Sequence, residues 1–302
     1  MIRTVARLAV SIVLLLVVSR FVDVGDVFAR LAGLHKGWVA LGLALSVLQL
    51  LGLAWRWVYT ARQLGIELPW RKAVAEYYLG VLLNQLLPGG VTGDVSRAWR
   101  HARSSAPGGP VVTAVVLERA SGQVMMTTMA IVSLLSLPWA PVATRRMLAV
   151  VLAALAVLSV RSLSREPQDP HAGGVRQDAR KVLLAKDAAA VQWLTAGLAA
   201  ASYVVVFLVA ARAVGVETPM LRLLPLVAPV LMTMLIPVSV AGWGIREAAA
   251  AGLWGLVGLT PADGAAISVA YGLLVLVSSL PGVLTLMLPP ADRDRRGRPS
   301  QA

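Results

Sequence analysis

Apolar residues in this chain fall in long blocks rather than in the stripes of an amphipathic helix. A helix needs about 20 mostly apolar residues to cross a hydrocarbon core of ~30 Å. Six stretches have that character: residues 5–22, 38–59, 111–137, 147–160, 191–211 and 264–288, the fourth being the shortest. Three further apolar blocks, 73–87, 223–236 and 248–258, are too short or too interrupted by Pro and Gly to be ordinary spans. The pattern predicts an all-α polytopic membrane protein with about six spans and two re-entrant helical hairpins. The first stretch lacks a small-residue cleavage site and reads as a retained span.

Composition agrees: 58% of the 302 residues are hydrophobic and the mean hydropathy is +0.74. The absence of cysteine excludes disulfides and thiolate chemistry. His35, His101 and His171 are expected in loops and have no metal-ligand spacing, so no cofactor or metal is expected. The net charge of +13 would suit nucleic-acid binding in a soluble protein. Here the basic residues follow topology instead. On the expected spans, 19 of the 28 fall on one side and seven on the other, with Arg119 and Arg246 at membrane depth. This positive-inside bias puts both termini and the polar stretch 162–186 in the cytoplasm. That stretch is expected to be a flexible loop between the halves, and residues 289–302 a disordered basic tail.

The two halves resemble each other. Residues 61–69 read ARQLGIELP and 211–219 read ARAVGVETP, with five of nine positions identical. Residues 88–97 (PGGVTGDVSR) and 237–246 (PVSVAGWGIR) share P-x-x-V-x-G-x-x-x-R. The offsets are 150 and 149 residues. Repeat halves over 38–160 and 191–288 follow. Three expected spans separate the two AR-x-x-G-x-E-x-P sites, so the repeat should be inverted, as in many transporters.

The broken blocks hold the candidate site. Block 73–87 ends at Pro88, Gly89 and Gly90, followed by Gly93 and Asp94. Irregular backbone at membrane depth survives only within protein or beside water, which points to a hairpin with its break at 88–93 and Asp94 capping the returning helix. The exposed backbone N–H groups there and Arg97 three residues on suit an anion such as phosphate. A second such hairpin is expected where Gly242 and Gly244 precede Arg246 and Glu247. Glu118 and Arg119, with Gln123 a turn away, lie within the 111–137 span, and Glu118 can pair with Arg97, Arg119 or Arg246. Arg56, between Trp55 and Trp57, is expected to anchor at the interface, as most of the nine tryptophans are.

Residues 82–100 (LLNQLLPGGVTGDVSRAWR), 117–122 (LERASG) and 236–249 (IPVSVAGWGIREAA) together resemble the lysylphosphatidylglycerol synthetase transmembrane region. This is the flippase-like half of the multiple peptide resistance factor, and the resemblance covers about residues 8–288. The first motif, which includes Asn84, carries one residue more between its glycines than the family pattern. The resemblance implies movement of an aminoacylated phospholipid between leaflets of the bacterial plasma membrane. It also implies no synthesis, because the family's soluble aminoacyltransferase domain is not represented.

The leading expectation is therefore a lipid translocase and not an enzyme. A head group would be held by Asn84, Pro88, Gly89, Gly90, Gly93, Asp94, Arg97, Glu118, Arg119, Gly242, Gly244, Arg246 and Glu247. Anionic phospholipid, aminoacylated phospholipid and polyprenyl phosphate are the candidate lipid partners. A lipid-modifying enzyme and a second copy of the chain are candidate protein partners. The alternatives are an accessory subunit of a lipid-linked glycosyl- or aminoacyl-transferase, a small-solute secondary transporter and a membrane-embedded enzyme, the last without any recognisable catalytic motif. Topology is open to direct test. In a chain without native cysteine, Gln177→Cys should react with an impermeant thiol reagent in inverted vesicles and not in intact cells; labelling from outside would overturn the assignment.

Overall fold

The computed structural model describes residues 22–87, 90–104, 108–137, 170–235 and 242–287, with a few isolated positions elsewhere. The expected spans 5–22 and 147–160, Pro88 and Gly89, and the tail lie largely or wholly outside the described residues. All regular structure among the described residues is helical. In chain order it comprises α1 (Val24–Ala32), α2 (Lys36–Gln63), α3 (Trp70–Leu86), α4 (Thr92–Ser104), α5 (Gly108–Leu135), α6 (Pro170–Leu183), α7 (Lys186–Ala213), α8 (Met220–Met232), α9 (Ile245–Leu253) and α10 (Pro261–Ser279). After α10 the chain continues through a 3-10 turn, Leu280–Val283, into a last helical turn, Leu284–Met287.

Among the described residues, three helical segments are long and apolar enough to cross a membrane: Lys36–Gln63, Asp187–Ala213 and Pro261–Val283. At 1.5 Å per residue, α2, α5 and α7, of 28 residues each, extend about 42 Å. Leu48 on α2, Leu194 and Leu198 on α7 and Val277 on α10 are exposed, as side chains facing hydrocarbon should be. Their opposite faces are buried, with α2 packed along α7 and α10.

The repeated nine-residue motif is a stop-and-restart signal. In the first half, Gly65 has φ 72° and the Ile66 N–H donates to the Ala61 carbonyl at 2.9 Å. In the second, Gly215 has φ 92° and the Val216 N–H donates to the Ala211 carbonyl at 3.1 Å. Only a residue that tolerates positive φ closes a helix this way. Pro69 and Pro219 then stand immediately before α3 and α8. As a result α2 and α7, and likewise α3 and α8, begin 150 residues apart.

The short helices fold back as pairs. α3 is about 25 Å long, too short to cross, and α4 returns beside it. The two touch at Gly80 and Gly93, where a Cβ on Gly93 would overlap the Gly80 carbonyl. In the second half, Pro225 and Pro229 lie inside α8, which tightens into a 3-10 turn at Thr233–Leu235. Gly242 (φ 80°) and Gly244 (φ 92°) then turn the chain into α9.

Three expectations are corrected. α4 starts at Thr92, so Asp94 lies within its first turn and is not its cap. The stretch expected to be a flexible loop contains α6, which packs against α5 and α7. His101 is in α4 rather than a loop, buried edge-on to Trp57 at 5.7 Å between ring centroids.

Closure of the first hairpin depends on two glycines. Gly93→Ala should lower stability by about 3 kcal/mol or prevent folding, beyond the usual overpacking cost. Gly52→Ala, within α2 and with open space around it, should be neutral or stabilising by about 0.5–1 kcal/mol. Thermal unfolding in detergent reads both; an unaffected Gly93→Ala would refute the contact.

Candidate functional site

The centre of the site is Glu118, midway along α5 and buried. Arg97 of α4 donates Nη2 to its Oε2 at 2.6 Å. Arg56 of α2 donates Nη1 to its Oε1 at 3.4 Å, and the Tyr77 hydroxyl donates to the same oxygen at 3.3 Å. Arg56 Nη2 also reaches the Glu118 carbonyl at 3.3 Å and Ser121 Oγ at 3.0 Å. The Arg97 guanidinium lies 4.8 Å from the Trp57 ring centre and 4.5 Å from that of Tyr77. Such aromatic faces favour a cation removed from water.

Asp94 holds the next layer. Its Oδ1 accepts from Arg97 Nε at 3.0 Å and Arg119 Nε at 2.8 Å, and lies 2.7 Å from Arg119 Nη2. Asn84, near the end of α3, donates Nδ2 to Asp94 Oδ2 at 3.3 Å and accepts the Gly93 N–H at 2.8 Å. Asn84 thus satisfies an N–H at the start of α4 that an N-cap would otherwise take. Asn84, Gly93, Asp94, Arg97, Glu118 and Arg119 therefore come together. Glu118 pairs with Arg97 and Arg56, and Arg119 pairs with Asp94.

Arg56 is the residue that sequence reasoning placed elsewhere. It is buried inside α2 with Trp57, not anchored at an interface. Its distance from the helix end was the available signal: seven residues before Gln63 is about two turns, or ~10 Å. Trp254 is likewise buried rather than part of a belt.

Arg246 and Glu247 form a separate cluster. Arg246 is fully buried and donates Nε to Ser268 Oγ at 2.8 Å and Nη2 to Glu247 Oε1 at 2.8 Å. Ser268 Oγ donates to Glu247 Oε1 at 2.9 Å, and Glu247 Oε2 accepts the Gly244 N–H at 2.6 Å. Trp243 and Tyr271 each stand 5.2 Å from the guanidinium. A Cβ at Gly272 would press on Arg246, so the glycine makes room for the buried cation. The cluster balances its own charge, and Arg246 Nη1 also reaches Met234 Sδ at 3.7 Å.

Between the halves lies a cavity of about 230 Å³. One wall is polar, with Arg56, Asn84, Glu118, Arg119 and Gln123, and Gly90 at its edge. The other is apolar, formed by Leu231, Met232 and Met234 with Val275. Tyr203 and Tyr271 complete it from α7 and α10. Arg97, Arg246, Glu247, Gly242 and Gly244 do not line it, and Pro88 and Gly89 lie outside the described residues. Among the described residues, no three His, Asp or Glu side chains gather to hold a metal ion.

Long apolar helices and folded-back hairpins around a charged interior define a helical, multi-pass membrane protein. The chain belongs to the lysylphosphatidylglycerol synthase TM region family, whose model matches residues 4–282. None of the curated proteins matches it.

Removing one partner from a buried ion pair leaves a charge uncompensated, at a cost of about 3–5 kcal/mol. Glu118→Gln should lower unfolding stability in detergent by that amount, since Arg56 and Arg97 both depend on this carboxylate. A loss below about 1 kcal/mol would show that another group neutralises them.

Proposed function

We propose that this protein is a flippase-like lipid translocase that moves an anionic, phosphate-bearing lipid between the leaflets of the bacterial plasma membrane. The head group would occupy the cavity between the two broken-helix units, and the acyl chains would remain in lipid. The observation that carries this reading is the cavity itself: arginines, Asn84 and Gln123 on one wall, Leu and Met side chains on the other, with both halves of the chain contributing. An amphiphile has those same two faces. A small polar solute would leave the apolar wall unmatched.

Alternating access by an inverted repeat suits this arrangement. The equal lengths of α2 and α7 and the 150-residue spacing of the helix starts support such a repeat. Both termini would be cytoplasmic. The sequence has no nucleotide-binding motif, so movement would be passive or ion-coupled. The site reads as a carrier rather than an enzyme, because both carboxylates are engaged by arginines.

Reconstitution tests the reading. Vesicles containing the protein should exchange labelled phosphatidylglycerol between leaflets faster than protein-free vesicles. Arg119→Lys should fold but slow exchange roughly ten- to hundredfold, since lysine lacks the planar two-point contact, worth about 1.5–3 kcal/mol. A wild type that moves neither phospholipid nor polyprenyl phosphate would refute the translocase reading.

A further inference from the structure

The charges of the central cluster do not balance. Among the described residues, Arg56, Arg97 and Arg119 meet only Asp94 and Glu118, which leaves one positive charge in excess. The neighbouring ionic groups do not offset it. Arg246 is matched by Glu247, and Arg100 by Glu76. The segments that flank the cavity in sequence, 88–89 and 236–241, contain only Pro, Gly, Ile, Val, Ser and Ala. They bring no carboxylate. A lone positive charge in a low-dielectric interior is costly and is relieved by an anion.

The excess is accessible from the cavity. Arg119 lines the cavity with 39% of its side chain exposed. Arg56, on the same wall, is buried, and its Nε has no hydrogen-bond partner among the described residues. An unpartnered buried N–H beside a cavity is a donor awaiting an acceptor. Gln123, whose Nε2 also donates to Met232 Sδ at 3.4 Å, adds an uncharged donor. The carboxylates are engaged. Both oxygens of Glu118 accept from arginines, and Asp94 Oδ1 serves Arg97 and Arg119 together. Asp94 Oδ2 accepts from Asn84 at 3.3 Å, so an ammonium group would have to displace an arginine or this amide to find a counter-ion.

We propose that the cavity selects amphiphiles whose head group bears one net negative charge and no cation, namely phosphodiester monoanions, and disfavours aminoacylated phospholipids. The inference rests on the translocase reading for the location of the site, but concerns binding rather than movement.

The full chain, purified in neutral detergent, would be given fluorescent phosphatidylglycerol and competed with four unlabelled compounds. These are phosphatidylglycerol, phosphatidylethanolamine, lysylphosphatidylglycerol and the acyl-free head group glycerophosphoglycerol. Phosphatidylglycerol should compete at least tenfold better than each of the other three. Arg119→Gln, at a partly exposed position and checked for an unchanged unfolding temperature, should weaken phosphatidylglycerol about tenfold and level it with phosphatidylethanolamine. Arg119→Lys should restore the charge preference in part. Equal or tighter binding of lysylphosphatidylglycerol, equal competition by the acyl-free head group, or a preference unchanged in Arg119→Gln would each overturn the proposal, as would a wild type that binds none of the four. Binding with the expected preference but without exchange in vesicles supports this proposal and refutes the translocase reading. Exchange without the preference refutes this proposal alone.

Discussion

A guanidinium at membrane depth must be met by an anion, and the first half of this protein is arranged around that requirement. Arg97 can be buried because Glu118 and Asp94 accept its hydrogen bonds and two aromatic faces enclose it. For Asp94 to reach both Arg97 and Arg119, α4 must start against α3 and α5 at once. That approach needs the backbone contact at Gly80 and Gly93, and it needs Asn84 to satisfy the Gly93 N–H. The short α3, the glycine-bearing break and the polar residues within an apolar helix are consequences of one constraint.

The two halves share a backbone scheme and differ in chemistry. Each has a long helix closed by a positive-φ glycine, a short helix opened after proline, and a returning helix that carries an arginine in its first turn or two. In the second half the arginine lies next to its own carboxylate, and Ser268 bridges them. In the first, the carboxylates are drawn from separate helices and shared among three arginines. Local pairing seals one cluster, whereas distributed pairing leaves the other open on a cavity.

Helical blocks, broken segments and a repeated stop signal were all legible in the sequence because each depends on local chemistry: apolar run length, proline, and glycine at positive φ. Asp94, Arg97, Glu118 and Arg119 were legible as buried polar exceptions. Their pairing was not, since the partner of Glu118 depends on which helices pack side by side. Arg56 was misread because flanking tryptophans resemble an interfacial anchor, although depth along α2 argues otherwise. α6 was missed because Pro170, Gly173 and Gly174 signal a loop, while packing against α5 and α7 supports a helix there. The local pairing of Arg246 rests on Ser268 and Gly272, on a different helix more than twenty residues away.

Pro225 and Pro229 lack the N–H groups that would bind carbonyls one turn earlier in α8. The ladder of that helix is therefore interrupted twice just before it supplies Leu231, Met232 and Met234 to the cavity. Methionine adds its own rotational freedom to this compliant backbone. Facing it, α5 carries charges cross-linked to three other helices. One side of the chamber therefore keeps its shape and reads charge, while the other can yield to whatever bulk accompanies that charge. Selectivity would fall on the polar end of a guest, and its hydrocarbon end could vary in length and branching without altering the outcome.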